Sequence, residues 1–179
     1  MSHLMSHTWP SAIAAAMILA SGAVLLLAAW HDIVSRTVPN WMSVAIAGFG
    51  LVAAIAGDRL LISTGLGLAI FIAAAIGWRF GYIGGADVKL LGAIAIVLPP
   101  GLVTMFAVAM SIGGAVHALT YILARRVVKR PLPLASPPRP LLARAWRAER
   151  WRISRGGPLP YACAIAFGFL FVIVNGVAP

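Results

Sequence analysis

Five stretches of this chain, 11–30, 41–57, 60–77, 101–124 and 159–177, are built almost wholly from apolar residues. Each is long enough to cross the roughly 30 Å hydrocarbon core of a bilayer as a helix, and lipid admits only structures that satisfy their own backbone hydrogen bonds. That constraint predicts an all-α, polytopic integral membrane protein. A sixth apolar segment, 88–98, ends at Pro99-Pro100 and spans only about 17 Å at 1.5 Å per residue, too little to cross unaided. Charge placement argues that it crosses nonetheless. With six transmembrane helices, thirteen of the fourteen basic residues fall on one side, Arg36, Arg79, Lys89 and ten in the loop 125–157, and only Arg59 lies opposite. If 88–98 failed to cross, the ten-charge loop would join Arg59, against the positive-inside tendency. The expectation is a single membrane domain over 1–179, a six-helix bundle with the basic loops cytoplasmic and both termini outside.

Composition narrows the partners. The chain is 61% apolar and 10% charged, against about 25% charged in soluble proteins, with a net charge of +10. Its basic residues lie between apolar spans instead of lining a soluble face with stacking aromatics, which excludes nucleic acid and favours anionic membrane lipid. The N-terminal stretch MSHLMSHTWP lacks a charged n-region, so the first apolar run is expected to be retained as a helix. Cys163 is the single cysteine, so there is neither a disulfide framework nor a CxxC pair. His31 and His117 have no companions at ligand spacing, so no metal site and no cofactor is expected. The glycines at 81, 84 and 85 lack the strand and helix context of a phosphate loop.

Four acids remain, Asp32, Asp58, Asp87 and Glu149. Asp58 sits on the side opposite the others and suits a turn beside Arg59. Glu149 lies among Arg144, Arg147, Arg150 and Arg152, where solvated ion pairing on a surface helix is the ordinary role. Asp32 ends the first span and Asp87 begins the fourth, so both occupy the same side and can meet. Each alone is accounted for as a helix cap or an ion-pair partner, with Arg36 at i,i+4 from Asp32 if the helix continues. Lys89 points to a different face from Asp87 and reaches toward the interface. Together the two aspartates also fit a carboxylate dyad, one member activating water and the other polarising a carbonyl, or a proton or ion path. By its place at a helix C-terminus, Asp32 is expected to hold the shared proton.

Two stretches carry a resemblance. Asp32-Ile33-Val34-Ser35-Arg36-Thr37-Val38-Pro39-Asn40-Trp41 resembles the first aspartate motif of type IV prepilin peptidases, and Gly84-Gly85-Ala86-Asp87-Val88-Lys89-Leu90-Leu91 resembles the second. Gly156-Gly157 and the run from Pro160 to Ala166 are similar to the start of the last helix in the short members that serve Flp or tight-adherence pili. The resemblance covers nearly the whole chain. It implies an aspartic endopeptidase of the bacterial inner membrane, its site facing the cytoplasm, that removes the basic leader from pilin-like precursors. Asp32 and Asp87 would be the catalytic pair, with Gly84, Gly85, Ala86, Lys89, Arg36, Pro39 and Asn40 shaping the site. Pilus-assembly machinery would be a further partner. Longer members carry a cysteine-rich insertion and also methylate the new N-terminus; this chain has one cysteine and no such insertion, which speaks against methyl transfer. Ala86 stands where the family pattern has a second glycine, so a backbone turn needing positive φ would be impaired there.

Two readings from other classes stand beside this one: a small proton-coupled transporter using the same two acids, and a non-catalytic pilus-assembly subunit with a degenerate site. No internal repeat of the kind transporters show is legible between the two halves. In the basic loop, Pro131, Pro133, Pro137, Pro138 and Pro140 predict an extended stretch. Leu142, Ala145, Trp146 and Ile153 then follow helical spacing with arginines between, as in an interfacial amphipathic helix or a solvated linker.

Overall fold

The computed structural model describes residues 12–128, 140–157 and 159–176. Among them are seven helices and no strand: α1 (Ala12–Ser35), α2 (Asn40–Ala56), α3 (Leu60–Arg79), α4 (Gly85–Val97), α5 (Pro100–Val127), α6 (Leu141–Arg155) and α7 (Ala162–Gly176). Three of them, α1, α3 and α5, are long and apolar enough to cross a membrane by themselves, and α2 and α7 are shorter apolar helices. The protein is therefore an all-α membrane protein. Pro131, Pro133, Pro137 and Pro138, for which an extended course is expected, and the N-terminal MSHLMSHTWP lie outside the described residues.

Two helix ends differ from their sequence-based positions in ways that matter. α1 runs on past Asp32 to Ser35, five residues beyond the apolar run, which keeps Asp32 in the last turn of the helix. α4 begins at Gly85, with Gly84 as its N-cap, which puts Asp87 inside the first turn. Pro39 caps α2, and Pro100 opens α5, where a missing N–H costs nothing.

The 13-residue α4 is the hub. It packs against α2 and α3 on one side and touches α1 and α7 on the other. Val88, Leu90, Ala93, Ile94, Ala95 and Val97 are all buried. A helix apolar all round belongs in a core. The short segment therefore meets protein along most of its length of about 20 Å. Leu25, Ile46, Leu90, Ile94, Ile165 and Phe169 form the centre of the bundle from α1, α2, α4 and α7.

Small residues set the closest approaches. A Cβ on Gly67 of α3 would lie 2.3 Å from Ile96 and 3.0 Å from the Gly92 carbonyl, so α3 and α4 touch through glycine. Gly65 and Ala73 of the same helix face outward: Gly65 has nothing within 4 Å of a notional Cβ, and Ala73 is exposed. The same device joins α7 to α5, where a Cβ on Gly168 would meet the backbone of Met110 at 2.9 Å.

Arg59 closes the far end of α4. Its guanidinium donates to the carbonyls of Val97 at 2.7 Å, Leu98 at 2.9 Å and Ile96 at 3.3 Å, and to the Ser63 hydroxyl at 2.8 Å. Helix C-termini leave carbonyls without intrahelical partners, and a cation there also complements the helix dipole. Asp58 remains a turn residue, exposed and in the left-handed region at φ 50°. Arg59→Met, which keeps an apolar stem and removes the donors, is expected to cost about 3 kcal/mol because it strands buried carbonyls. Asp58→Asn is expected to change stability by less than about 0.5 kcal/mol. Thermal unfolding of both variants in detergent checks the pair.

Candidate active site

The site forms where α1, α4 and α7 meet. Asp32 reaches it from the last turn of α1 and Asp87 from the first turn of α4; both carboxyls are half-buried. They lie close enough for the charge of one to act on the other. The Asp87 carboxylate accepts the backbone N–H of Gly84, the reach-back contact by which an acid in the first turn satisfies an orphan N-cap donor. Asp32 Oδ2 accepts the N–H of Ala162 at 3.3 Å, the first residue of α7. Both aspartates thus face a helix N-terminus. The start of α7 offsets the dipole of the α1 C-terminus at Asp32, so helix ends do not favour Asp32 over Asp87 as the holder of a shared proton.

The two glycines before Asp87 act through shape. A Cβ on Gly84 would lie 2.8 Å from Asp87 Oδ2, and one on Gly85 would lie 3.2 Å from Trp78 Nε1. Ala86 is in the first turn of α4 with ordinary helical backbone. Positive φ in this connection falls at Gly81, at 79°. The conformational objection to alanine at 86 therefore does not apply.

Of the remaining residues expected to shape the site, Lys89 and Asn40 meet each other and not the aspartates. Lys89 Nζ donates to Asn40 Oδ1 at 2.7 Å. Both line a cleft of about 510 Å³ among α2, α3 and α4, together with Ser43, Thr64, Phe71 and Gly92. Two residues along a helix turn a side chain by roughly 200°, so this cleft lies across α4 from Asp87. Pro39 serves the same corner as the cap of α2.

Arg36 departs most from its expected role. It stands just past α1 in the left-handed region, φ 57°, and its guanidinium makes its ion pair with Glu149 at 2.7 Å while its charge also acts on Asp32. Glu149 is only 8% exposed. It also binds Arg152 at 3.2 Å and accepts the hydroxyl of Tyr121 from α5. Arg152 in turn donates to the carbonyls of Ile33 at 2.8 Å and Val34 at 3.3 Å, capping α1. Glu149 is thus no solvated surface acid but the centre of a buried ion cluster. Burial by itself would raise its pKa, but the Tyr121 hydroxyl, Arg36 and Arg152 outweigh it and hold the carboxyl below the usual glutamate range. The one sequence cue was an acid three residues before an arginine on a helix with an inner face.

Two further groups lie beside this cluster. His117 stacks on Tyr121 with ring centroids 4.8 Å apart, and its Nε2 is buried without a hydrogen-bond partner. Cys163 Sγ sits 4.0 Å from the Ala29 carbonyl, and its thiol feels the charge of Asp32. Among the described residues no group of three or more His, Cys, Asp or Glu is arranged to hold a metal ion.

These features define a class: a helical membrane protein with two carboxyl groups gathered at one end of its bundle, each held by a helix N-terminus. A sequence model described as the type IV leader peptidase family matches residues 9–119, more than half of the chain and including both aspartates. The chain belongs to that family. Searches of the curated proteins and of the solved structures find no match.

Removing the charge at 149 leaves two guanidinium groups facing a neutral amide. Glu149→Gln is expected to cost about 3 kcal/mol, the lower end of the range for a broken buried pair because both arginines retain some access to water. Since the carboxyl titrates low in the folded protein, its contribution is complete above the ordinary glutamate range and is lost as pH falls through the lowered value. The difference in melting temperature between wild type and Glu149→Gln should accordingly hold steady from neutral to mildly acidic pH and shrink only in stronger acid.

Proposed function

We propose that the protein is an intramembrane aspartic endopeptidase whose catalytic pair is Asp32 and Asp87. It removes the basic leader from pilin-like precursors of the Flp type. The observation that carries the reading is that the last turn of α1 and the first turn of α4 bring an aspartate each to the junction with α7, in a member of the leader peptidase family. Two carboxyl groups gathered in one site share one proton more readily than they both ionise. The ionised partner takes a proton from water as the water oxygen adds to the scissile carbonyl, and the protonated partner donates to the carbonyl oxygen. Collapse of the tetrahedral adduct breaks the C–N bond, with the proton passing to the leaving amine. Side-chain carboxyls supply every proton movement, so the step asks for no cofactor.

The membrane arrangement proposed with it has six crossings, α1 to α5 and α7, with α6 lying along the interface. Thirteen of the fourteen basic residues then share the cytoplasmic side of a bacterial inner membrane with both aspartates. Leu142 and Trp146 project outward from α6, at 68% and 67% exposure, among arginines, the pattern of a helix seated on anionic lipid. A basic leader entering from the same side would leave its apolar helix in the bilayer, bringing the junction between them to the level of Asp87. Pilus-assembly machinery is the natural recipient of the product.

Co-expression with a small precursor bearing a basic leader and an apolar helix, read by gel shift, tests the reading. Asp32→Asn and Asp87→Asn are each expected to reduce processing by at least about 1,000-fold. Unchanged processing in either variant, or none by the wild type, would overturn it. Gly84→Ala presses a methyl group onto the Asp87 carboxyl and is expected to lose about tenfold to a hundredfold in kcat. Ala86→Gly should process at close to the wild-type rate.

A further inference from the structure

We infer that Glu149 is a positioning residue for the aspartate pair, acting through α6, which it locks across the end of α1 that carries Asp32. The inference rests on the catalytic reading of Asp32 but not on the identity of the precursor.

The cluster has a geometry that a surface ion pair lacks. α6 presents Ala145 and Glu149, one turn apart, inward against α1 and α5, and both are buried. Glu149 collects three donors from three parts of the chain: Arg36 just after α1, Tyr121 on α5, and Arg152 one turn along its own helix. Arg152 extends the cluster to the carbonyls of Ile33 and Val34, the two residues that follow Asp32. The N–H of Arg36 closes the same turn on the Asp32 carbonyl at 2.9 Å. The last turn of α1 is therefore gripped on both sides of Asp32, with Ala162 N–H on the carboxyl and the α6 cluster on the backbone beyond it. α6 is itself firmly terminated. Gly156 in the left-handed region and the N–H of Gly157 on the Arg152 carbonyl form a Schellman-type close, which leads the chain directly toward α7 and Ala162. Neither Glu149 nor Arg152 lies within the segment that the family model matches.

A buried carboxylate that binds three donors costs desolvation, and a hydrophobic contact at that place would stabilise as well. What the ion cluster adds is direction: Arg152 fixes two specific carbonyls, which greasy packing would not. Misplacement of a reacting group by about 1 Å can cost on the order of a hundredfold in rate. The consequence for Asp32 is a loss of rate rather than a loss of substrate binding.

The full-length protein in liposomes gives two independent readouts. The first is alkylation of Cys163, the only cysteine and a neighbour of both Asp32 and α1, by N-ethylmaleimide. Glu149→Gln is expected to speed it several-fold, Arg152→Gln to do so more mildly, and Glu149→Asp, which keeps the charge, to stay near the wild-type rate. The second is processing of a synthetic precursor with a Lys/Arg-rich leader and an apolar helix. There Glu149→Gln should lower kcat by about tenfold or more with KM little changed, and Glu149→Asp should recover most of it. Wild-type labelling rates in both Glu149→Gln and Arg152→Gln would overturn the inference, as would a loss confined to KM. Should Asp32→Asn leave processing intact while Glu149→Gln still exposes Cys163, the catalytic reading falls and the grip of α6 on α1 stands.

Discussion

A helix too short for its surroundings must have both ends provided for, and α4 depends on that provision. Its C-terminal carbonyls are bound by Arg59 and its N-terminal donor by Asp87 through Gly84. Between those two points Val88, Leu90, Ala93, Ile94, Ala95 and Val97 are buried among α1, α2, α3 and α7. Backbone groups without partners cost most where water is scarce, so this pair of caps fixes both ends of α4 and with them the place of Asp87 in the bundle. Four helices, α1, α2, α3 and α7, pack against the helix that carries Asp87, while α5 and α6 join the bundle through α7 and α1.

The two aspartates are held by unlike means. Asp87 is governed locally, by the first turn of its own helix and the glycine before it. Asp32 is governed from a distance: the start of α7 supplies an N–H to its carboxyl, while α6 holds the backbone beyond it. Segments far apart in sequence thus converge on one carboxyl, and the basic stretch between α5 and α7 becomes part of the site's scaffold. Lys89 and Asn40 pair across the other face of α4 and belong to a separate cleft.

Sequence reasoning reached what local pattern and topology determine. Apolar run lengths placed the helices, and charge counting put Asp32 and Asp87 at the same end before any contact was known. It failed where a side chain's partner lies far along the chain. Arg59 read as half of a polar turn because nothing in Asp58-Arg59 announces that the α4 carbonyls lie within its reach. Glu149 read as a solvated acid because its neighbours in sequence are arginines, whereas burial comes from α1 and α5. The helix-dipole argument failed for the same reason, since the relevant helix end for Asp32 belongs to α7. Ala86 was misjudged differently: a glycine pattern suggested a need for unusual torsion, while the first turn of α4 uses torsions that any residue adopts.

The close approach of Asp87 to Gly84 carries a last consequence. The carboxyl oxygen occupies the volume that any larger residue at 84 would claim for its own side chain. Glycine is required there as an absence of matter and not for freedom of rotation. A side chain at 84 would have to push the Asp87 carboxyl aside, so the place of that acid depends on what is missing three residues before it.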